Sequence, residues 1–159
     1  MSRTRSNNIR SLHFGRSIHQ GPSQTEIRSG NKSLFMARGS ISQKRILLVE
    51  DDPPIRNLIR TALLQGEHVV VEAQNGLEAL ALFRKQPFDL VVTDFDLPEM
   101  PGDRLVLEIK KLMPSQPIIL MTADRAGMTG IDQVPNIVLD KPFPLQSLHA
   151  AVAELLSPN

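Results

Sequence analysis

From Lys44 onward the chain alternates short apolar runs with stretches whose apolar residues recur every three or four positions. The run RILLVE at 45–50 is continuously apolar and closes on an acid, which predicts a buried strand. Asp52 then stands where an N-cap belongs and Pro53 at the first helical position. The helix that follows places Ile55, Leu58, Ile59, Ala62 and Leu63 on one face. Residues 68–73 are β-branched and predict a second strand. Asn75 and Glu78, three apart, carry the signature of a capping box. They open a second helix that buries Leu77, Leu80 and Ala81, with Leu82 or Phe83 at the edge of the stripe. Residues 88–94 form the third strand, centred on Leu90, Val91 and Val92, and a loop rich in proline and acid follows. A third helix over 103–112 turns Leu105, Ile109 and Leu112 inward. Residues 117–122 and 136–140 read as strands four and five. A closing helix over 144–156 carries Leu145, Leu148, Val152, Leu155 and Leu156 on one stripe. Five strands alternating with helices predict an α/β domain whose parallel sheet is covered on both faces.

Residues 1–43 show no such period; they are rich in Ser, Arg, Asn and Gly with scattered Leu, Ile and Phe. A segment of this kind buries too little apolar surface to offset its chain entropy, so a disordered basic tail is expected there, with the domain at 44–157. A solvated tail and a natural start at Met36 are its plainest readings; a basic arm for nucleic acid or membrane and an organelle transit peptide are the sharper ones. Charge divides at the same place. Residues 1–45 hold nine Lys/Arg against Glu26 alone, whereas the rest hold nine Lys/Arg against sixteen Asp/Glu. The net charge of +1 therefore hides an acidic domain behind a basic tail, and no nucleic-acid-binding domain is expected. Cysteine is absent, which removes disulfides, thiolate nucleophiles and Cys-based metal sites. No stretch approaches the roughly 20 apolar residues of a membrane span, nor does the N-terminus carry a signal peptide's apolar run. A soluble, cytoplasmic protein is the expectation.

The chemistry collects at the strand ends. Strand one ends in Glu50 and Asp51, strand three in Asp94, strand four in Thr122 and strand five in Lys141, while strand two ends in uncharged Ala73-Gln74-Asn75. In a doubly wound sheet of order 2-1-3-4-5, ligands bind beyond the carboxyl ends between strands one and three. That order makes strands 1, 3, 4 and 5 contiguous, so all five groups share one rim. Three carboxylates there repel one another unless a cation joins them. Oxygen donors without His or Cys suit a hard ion, namely Mg2+. A nucleophilic carboxylate, a divalent ion, a lysine and a hydroxyl together serve phosphoryl transfer.

Residues 44–156 resemble the receiver domain of two-component response regulators, above all its single-domain, chemotaxis-type members. The resemblance is carried by ILLVEDD at 46–52, AQNGLEAL at 73–80, DLVVTDFDLPEMPG at 89–102, MTA at 121–123 and KPF at 141–143. It implies a flavodoxin-like fold and Asp94 as the phosphoacceptor, with Glu50 and Asp51 as the acidic pair of a magnesium site. By the same resemblance Asp96 offers its backbone carbonyl to the metal, Thr122 and Lys141 contact the phosphoryl group, and Lys141-Pro142 is a cis peptide. Thr122 would move on phosphorylation, and Val138 occupies the family's switch position. The implied partners are a sensor histidine kinase or histidine phosphotransfer protein upstream and a protein target downstream. The implied catalysis is confined to the chain's own phosphorylation and dephosphorylation, not turnover of a metabolite.

Three features depart from the family pattern. The switch position is usually aromatic, and this chain has no Tyr or Trp at all. The segment between Thr122 and Lys141 is short and contains Gly127, Gly130 and Pro135, leaving room for only a short or irregular fourth helix. No output domain follows Leu156 in this sequence, so output is expected to be a binding event. Rival readings are a haloacid-dehalogenase-type phosphatase using Asp94 and Asp96, a binder of flavin mononucleotide, and a receiver-like docking domain that acts unphosphorylated. Against the phosphatase, the acidic pair precedes the nucleophile and only eighteen residues follow Lys141. Against the flavin, Glu50-Asp51-Asp52 would repel a phosphate.

Overall fold

The computed structural model describes residues 43–128, 130–131 and 134–157. The expected disordered tail at 1–43 lies outside the described residues except for Gln43. The described residues form strands β1 (Arg45–Val49), β2 (Val69–Ala73), β3 (Leu90–Asp94), β4 (Ile118–Thr122) and β5 (Ile137–Asp140). Helices α1 (Pro53–Leu64), α2 (Gly76–Lys85), α3 (Gly102–Leu112) and α4 (Leu145–Leu156) alternate with them, and a 3-10 turn, Arg125–Gly127, stands between β4 and β5. All strand pairs are parallel, as the alternation of periods predicts, and the order is β2-β1-β3-β4-β5, that of the flavodoxin-like fold the resemblance implies.

Two apolar layers hold the sheet between its helices. Strand residues alternate faces: Leu47, Val49, Val91, Ile118 and Leu120 pack with Ala79, Leu80 and Phe83 of α2 and Leu105, Val106 and Ile109 of α3. Ile46, Leu48, Leu90, Val92, Ile119 and Met121 pack with Ile59, Ala62 and Leu63 of α1 and Leu148, Ala151 and Val152 of α4. Central strands β1, β3 and β4 are buried almost throughout, whereas β2 and β5 are the partly exposed edges. Each fully buried Leu or Ile contributes about 1.5–3 kcal/mol.

The caps form as the sequence predicts. Asp52 Oδ1 accepts from Ile55 N at 3.0 Å and Asn75 Oδ1 from Glu78 N at 2.8 Å, while Glu78 Oε2 accepts from Gln74 N at 2.8 Å. The helix faces need correction. Ile55, in the first turn, is exposed, and so is Leu58, which stands beside the stripe that Ile59, Ala62 and Leu63 bury. On α2 the buried stripe is Gly76, Ala79, Leu80 and Phe83, and both Leu77 and Ala81 face outward. The close seat of Gly76 against the loop after β3 sets that rotation, since a Cβ there would stand 2.3 Å from Met100 O. Leu112, in the last turn of α3, is exposed, and Val106 takes the inward place. Leu145, Leu155 and Leu156 are only partly buried beside Leu148 and Val152.

Glu67, in the turn after α1, has a left-handed backbone with φ 60. A Cβ is disfavoured there and glycine is not. Glu67→Gly is therefore expected to raise stability by about 0.5–1 kcal/mol, read as a higher urea midpoint with an unchanged slope.

Candidate functional site

Parallel register assembles the rim. Val49 pairs with Thr93, Asp94 with Met121, and Thr122 with Asp140. The residues one step further along each strand, Glu50 beside Asp94 and Lys141 beyond Thr122, are thereby brought to one edge. Carboxylate oxygens of Glu50, Asp51 and Asp94 lie within 4.8 Å of one another. Lys141 Nζ sits among them, 2.8 Å from Asp94 Oδ1 and 3.1 Å from Glu50 Oε2. Glu50 and Asp94 are 1% and 5% exposed, while Asp51 faces solvent, so the site has a buried floor and one open acid.

Neighbouring groups fix these side chains. Glu50 Oε1 accepts from Asp52 N at 3.3 Å, which leaves both of its oxygens engaged. Arg56 on α1 donates from Nη1 to the carbonyls of Glu50 (2.7 Å) and Asp51 (3.2 Å) and pairs with Glu72 at 3.5 Å. It ties the acidic turn to its helix and to β2. Thr122 is fully buried; its Oγ1 accepts from Asp124 N at 3.1 Å and its carbonyl from Lys141 N at 2.7 Å. The buried Thr93 hydroxyl donates to Asp94 O at 3.0 Å. At the start of α3, Gly102 N donates to Phe95 O at 2.8 Å, and a Cβ on Gly102 would stand 2.0 Å from Asp94 O. Only glycine lets the helix approach that close. Gly102→Ala is expected to cost about 2–3 kcal/mol by overpacking, measured by chemical denaturation, and to displace the Asp94 backbone, read as a shifted Asp94 amide resonance.

Burial raises the Asp94 carboxyl above its ordinary pKa, with the Lys141 hydrogen bond and charge opposing. Glu50 is likewise raised, by burial first and then by the Asp94 charge. Burial pulls Lys141 down, but the bond and charge of Asp94, then of Glu50, outweigh it and leave the ammonium raised. One cation among three carboxylates leaves the rim short of positive charge. Oxygen-only donors with residual negative charge fit a hard divalent cation.

The structure brings Glu50, Asp51, Asp94 and Lys141 into one cluster, with Thr122 joined to it through Lys141. Asp96 lies in the loop after β3, exposed, and its carboxylate is outside the cluster. Val138 is half-buried against the α2/α3 layer. The Lys141-Pro142 peptide is cis, as the resemblance implies. Among the described residues between β4 and β5 the 3-10 turn is the one helical element, in line with the glycine-rich spacing. Sequence reasoning missed Arg56, whose part comes from contacts with backbone carbonyls that no side-chain motif announces, and it had Gly102 only as the end of a motif, without its close approach to Asp94 O. The acidic pair that the phosphatase alternative wants after Lys141 has no counterpart among the described residues, where Glu154 stands alone and exposed on α4.

Comparison with known proteins agrees with this geometry. The family model described as response regulator receiver domain matches residues 46–153. The transcriptional regulatory protein GlrR of Escherichia coli is 32% identical over 114 residues, covering 70% of this chain and 26% of the relative. The chain thus spans about a quarter of that relative's length. The response regulator TrrA of Thermotoga maritima, solved in complex with Mg(2+)-BeF, is 33% identical with a TM-score of 0.67, covering 72% of this chain and 100% of that one. The receiver domain of the sensor histidine kinase PA1611 of Pseudomonas aeruginosa is 27% identical with a TM-score of 0.64 over 72% of this chain and 98% of that one. It was solved with a magnesium ion coordinated in its active-site cleft. Among the described residues no helix is long and apolar enough to cross a membrane.

Proposed function

The chain belongs to the response-regulator receiver family, and on that footing we propose that Asp94 is its phosphoacceptor and Lys141 and Thr122 the groups that receive the phosphoryl oxygens. The observation that carries this is the meeting of the Asp94, Glu50 and Asp51 carboxylates on one rim, with Lys141 hydrogen-bonded to the first two. A partner histidine kinase or histidine phosphotransfer protein presents phosphohistidine. An Asp94 carboxylate oxygen forms the new bond to phosphorus as the phosphorus–nitrogen bond breaks and its electron pair returns to the imidazole. Lys141, already 2.8 Å from Asp94, then balances charge on the transferred group. The Thr122 hydroxyl donates to a phosphoryl oxygen. Water later hydrolyses the acyl phosphate within the same site.

Glu50, Asp51 and Asp94, with the Asp96 backbone carbonyl, would hold the magnesium ion that the donor set fits. Bound there it would supply charge neutralisation at the phosphoryl oxygens. Two relatives solved with magnesium support the choice of ion. Output is phosphorylation-dependent binding of a downstream protein, and the cytoplasm, where kinase domains present phosphohistidine, is its place of work. The test is incubation with magnesium and acetyl phosphate followed by intact mass. One added phosphoryl group, lost on hydroxylamine treatment, is the expected result; an unmodified mass in every condition would overturn the reading.

A further inference from the structure

We propose that Arg125 is the residue that couples the phosphoryl site to the surface of β5. The proposal rests on the receiver reading above. Its ground is a closed circuit of contacts that begins and ends at the rim. Thr122 Oγ1 accepts from Asp124 N at 3.1 Å, and Asp124 Oδ1 in turn caps the 3-10 turn by accepting from Gly127 N at 3.2 Å. Arg125, first residue of that turn, reaches across to β5. Its Nη2 donates to Val138 O at 3.1 Å and its Nε to Asp140 Oδ1 at 2.9 Å. Asp140 precedes Lys141, whose Nζ holds Asp94 and Glu50 and whose backbone N donates to Thr122 O. One guanidinium therefore spans the gap between the strand end bearing the hydroxyl and the strand end bearing the lysine.

The circuit has a natural breaking point. When the Thr122 side chain swings toward a phosphoryl oxygen to donate to it, that displacement, not the donation itself, draws Oγ1 away from the Asp124 amide. The 3-10 turn loses the contact that anchors it to β4, and Arg125 with it. A rotating side chain at position 138 cannot carry this change, because valine has no long arm to swing and its χ1 is restricted. Arg125 engages the Val138 carbonyl instead, so the same place on β5 is read through its backbone. The arginine and Asp140 side chains are 56% and 61% exposed. An ion pair that open to solvent is worth little as a strut. A weak, two-pronged contact opens at small cost, which suits a latch holding the unloaded state. Its release frees a guanidinium, an aspartate and a backbone carbonyl together on the exposed edge strand, where a partner protein can take them up.

The experiment follows the Arg125 Nε–H resonance of the full chain before and after loading with magnesium and beryllofluoride, an acyl-phosphate mimic. At low temperature and mildly acidic pH, where exchange with water is slow, the unloaded protein is expected to show this signal at a shift displaced from that of Asp140→Ala, which lacks the acceptor. Loading, reported independently by the fluorine spectrum of bound beryllofluoride, is expected to move the signal to the Asp140→Ala position. Because the latch favours the unloaded state, Arg125→Gln is expected to bind beryllofluoride about 3- to 5-fold more tightly; a merely structural arginine would leave affinity equal or lower it. Bound beryllofluoride with an unchanged Arg125 signal, or with unaltered or weaker affinity in Arg125→Gln, would overturn the coupling role alone. Failure of beryllofluoride to bind at all would overturn the receiver reading and this proposal with it.

Discussion

Asp94→Asn, incubated with magnesium and acetyl phosphate, is expected to gain no phosphoryl group, while the wild-type chain gains one. Asparagine keeps the shape of the side chain but lacks the anionic oxygen that attacks phosphorus. Asp96, the other acid of the loop, is exposed and outside the carboxylate cluster, so it is not expected to substitute. A modification that persists and maps to Asp96 would show that the nucleophile has been misassigned. The same variant carries a second expectation of opposite sign. Asp94 and Glu50 both have folded pKa values raised by burial, so their ionised forms are disfavoured in the fold even with Lys141 alongside. Between the ordinary carboxylate value and the raised one, the native state holds protons that the unfolded chain has lost, and stability falls as pH rises through that window. The Asp94→Asn substitution removes one such contribution. In metal-free buffer at neutral pH the variant is expected to be more stable than wild type, read as a higher Tm. The advantage is expected to shrink as pH falls through the raised value and toward the ordinary one, where wild-type Asp94 is protonated too. Lys141, also raised, loses its contribution as pH rises from the ordinary lysine value through its raised one, in the alkaline range outside this window. A variant less stable than wild type at neutral pH would mean that the Asp94–Lys141 pair outweighs the burial of its charge.

The strands and both side-chain caps were legible because each depends on local pattern; the strand order, and with it the gathering of Glu50, Asp51, Asp94, Thr122 and Lys141, came from the fold that the family resemblance implies. Apolar runs mark strands, period marks helices, and parallel neighbours must end on one rim. Helix rotation was legible only to within a residue. Leu77 and Ala81 fit the α2 stripe as well on paper as Gly76, Ala79 and Phe83, and only the seat of Gly76 against Met100 decides between them. Leu58 likewise has helical spacing, yet its neighbour Ile59 takes the buried place with Ala62 and Leu63. In the site, side-chain chemistry was readable and the groups that hold it were not. Arg56 reaches two carbonyls, Gly102 matters for the Cβ it lacks, and Arg125 bonds across a gap set by the length of the β4–β5 connection. Backbone partners leave no periodic trace in a sequence.

Asp51→Asn is expected to weaken magnesium binding far more than Glu50→Gln, by about 100-fold or more against about 10-fold. Formal charge alone would make the two losses equal, since each removes one unit beside a hard cation. Geometry separates them. Glu50 is buried with Oε2 on Lys141 and Oε1 toward the Asp52 amide, so its oxygens are already in use. Its charge acts on an ion at short range, or through a bound water, without needing a free oxygen. Asp51 is exposed, and among the described residues none donates a hydrogen bond to its carboxylate. It is the oxygen most available for direct ligation. The Glu50→Gln change would also release Lys141 to pair with Asp94 alone, tightening that bond and competing with the ion, which is why its effect is not small. Isothermal titration with magnesium chloride, on protein shown by circular dichroism to be folded, measures both. Equal affinity in wild type and both variants would mean that the cluster is a solvated turn and holds no metal. A larger loss in Glu50→Gln than in Asp51→Asn would place the direct ligand on the buried floor and require Lys141 to move aside when the ion enters.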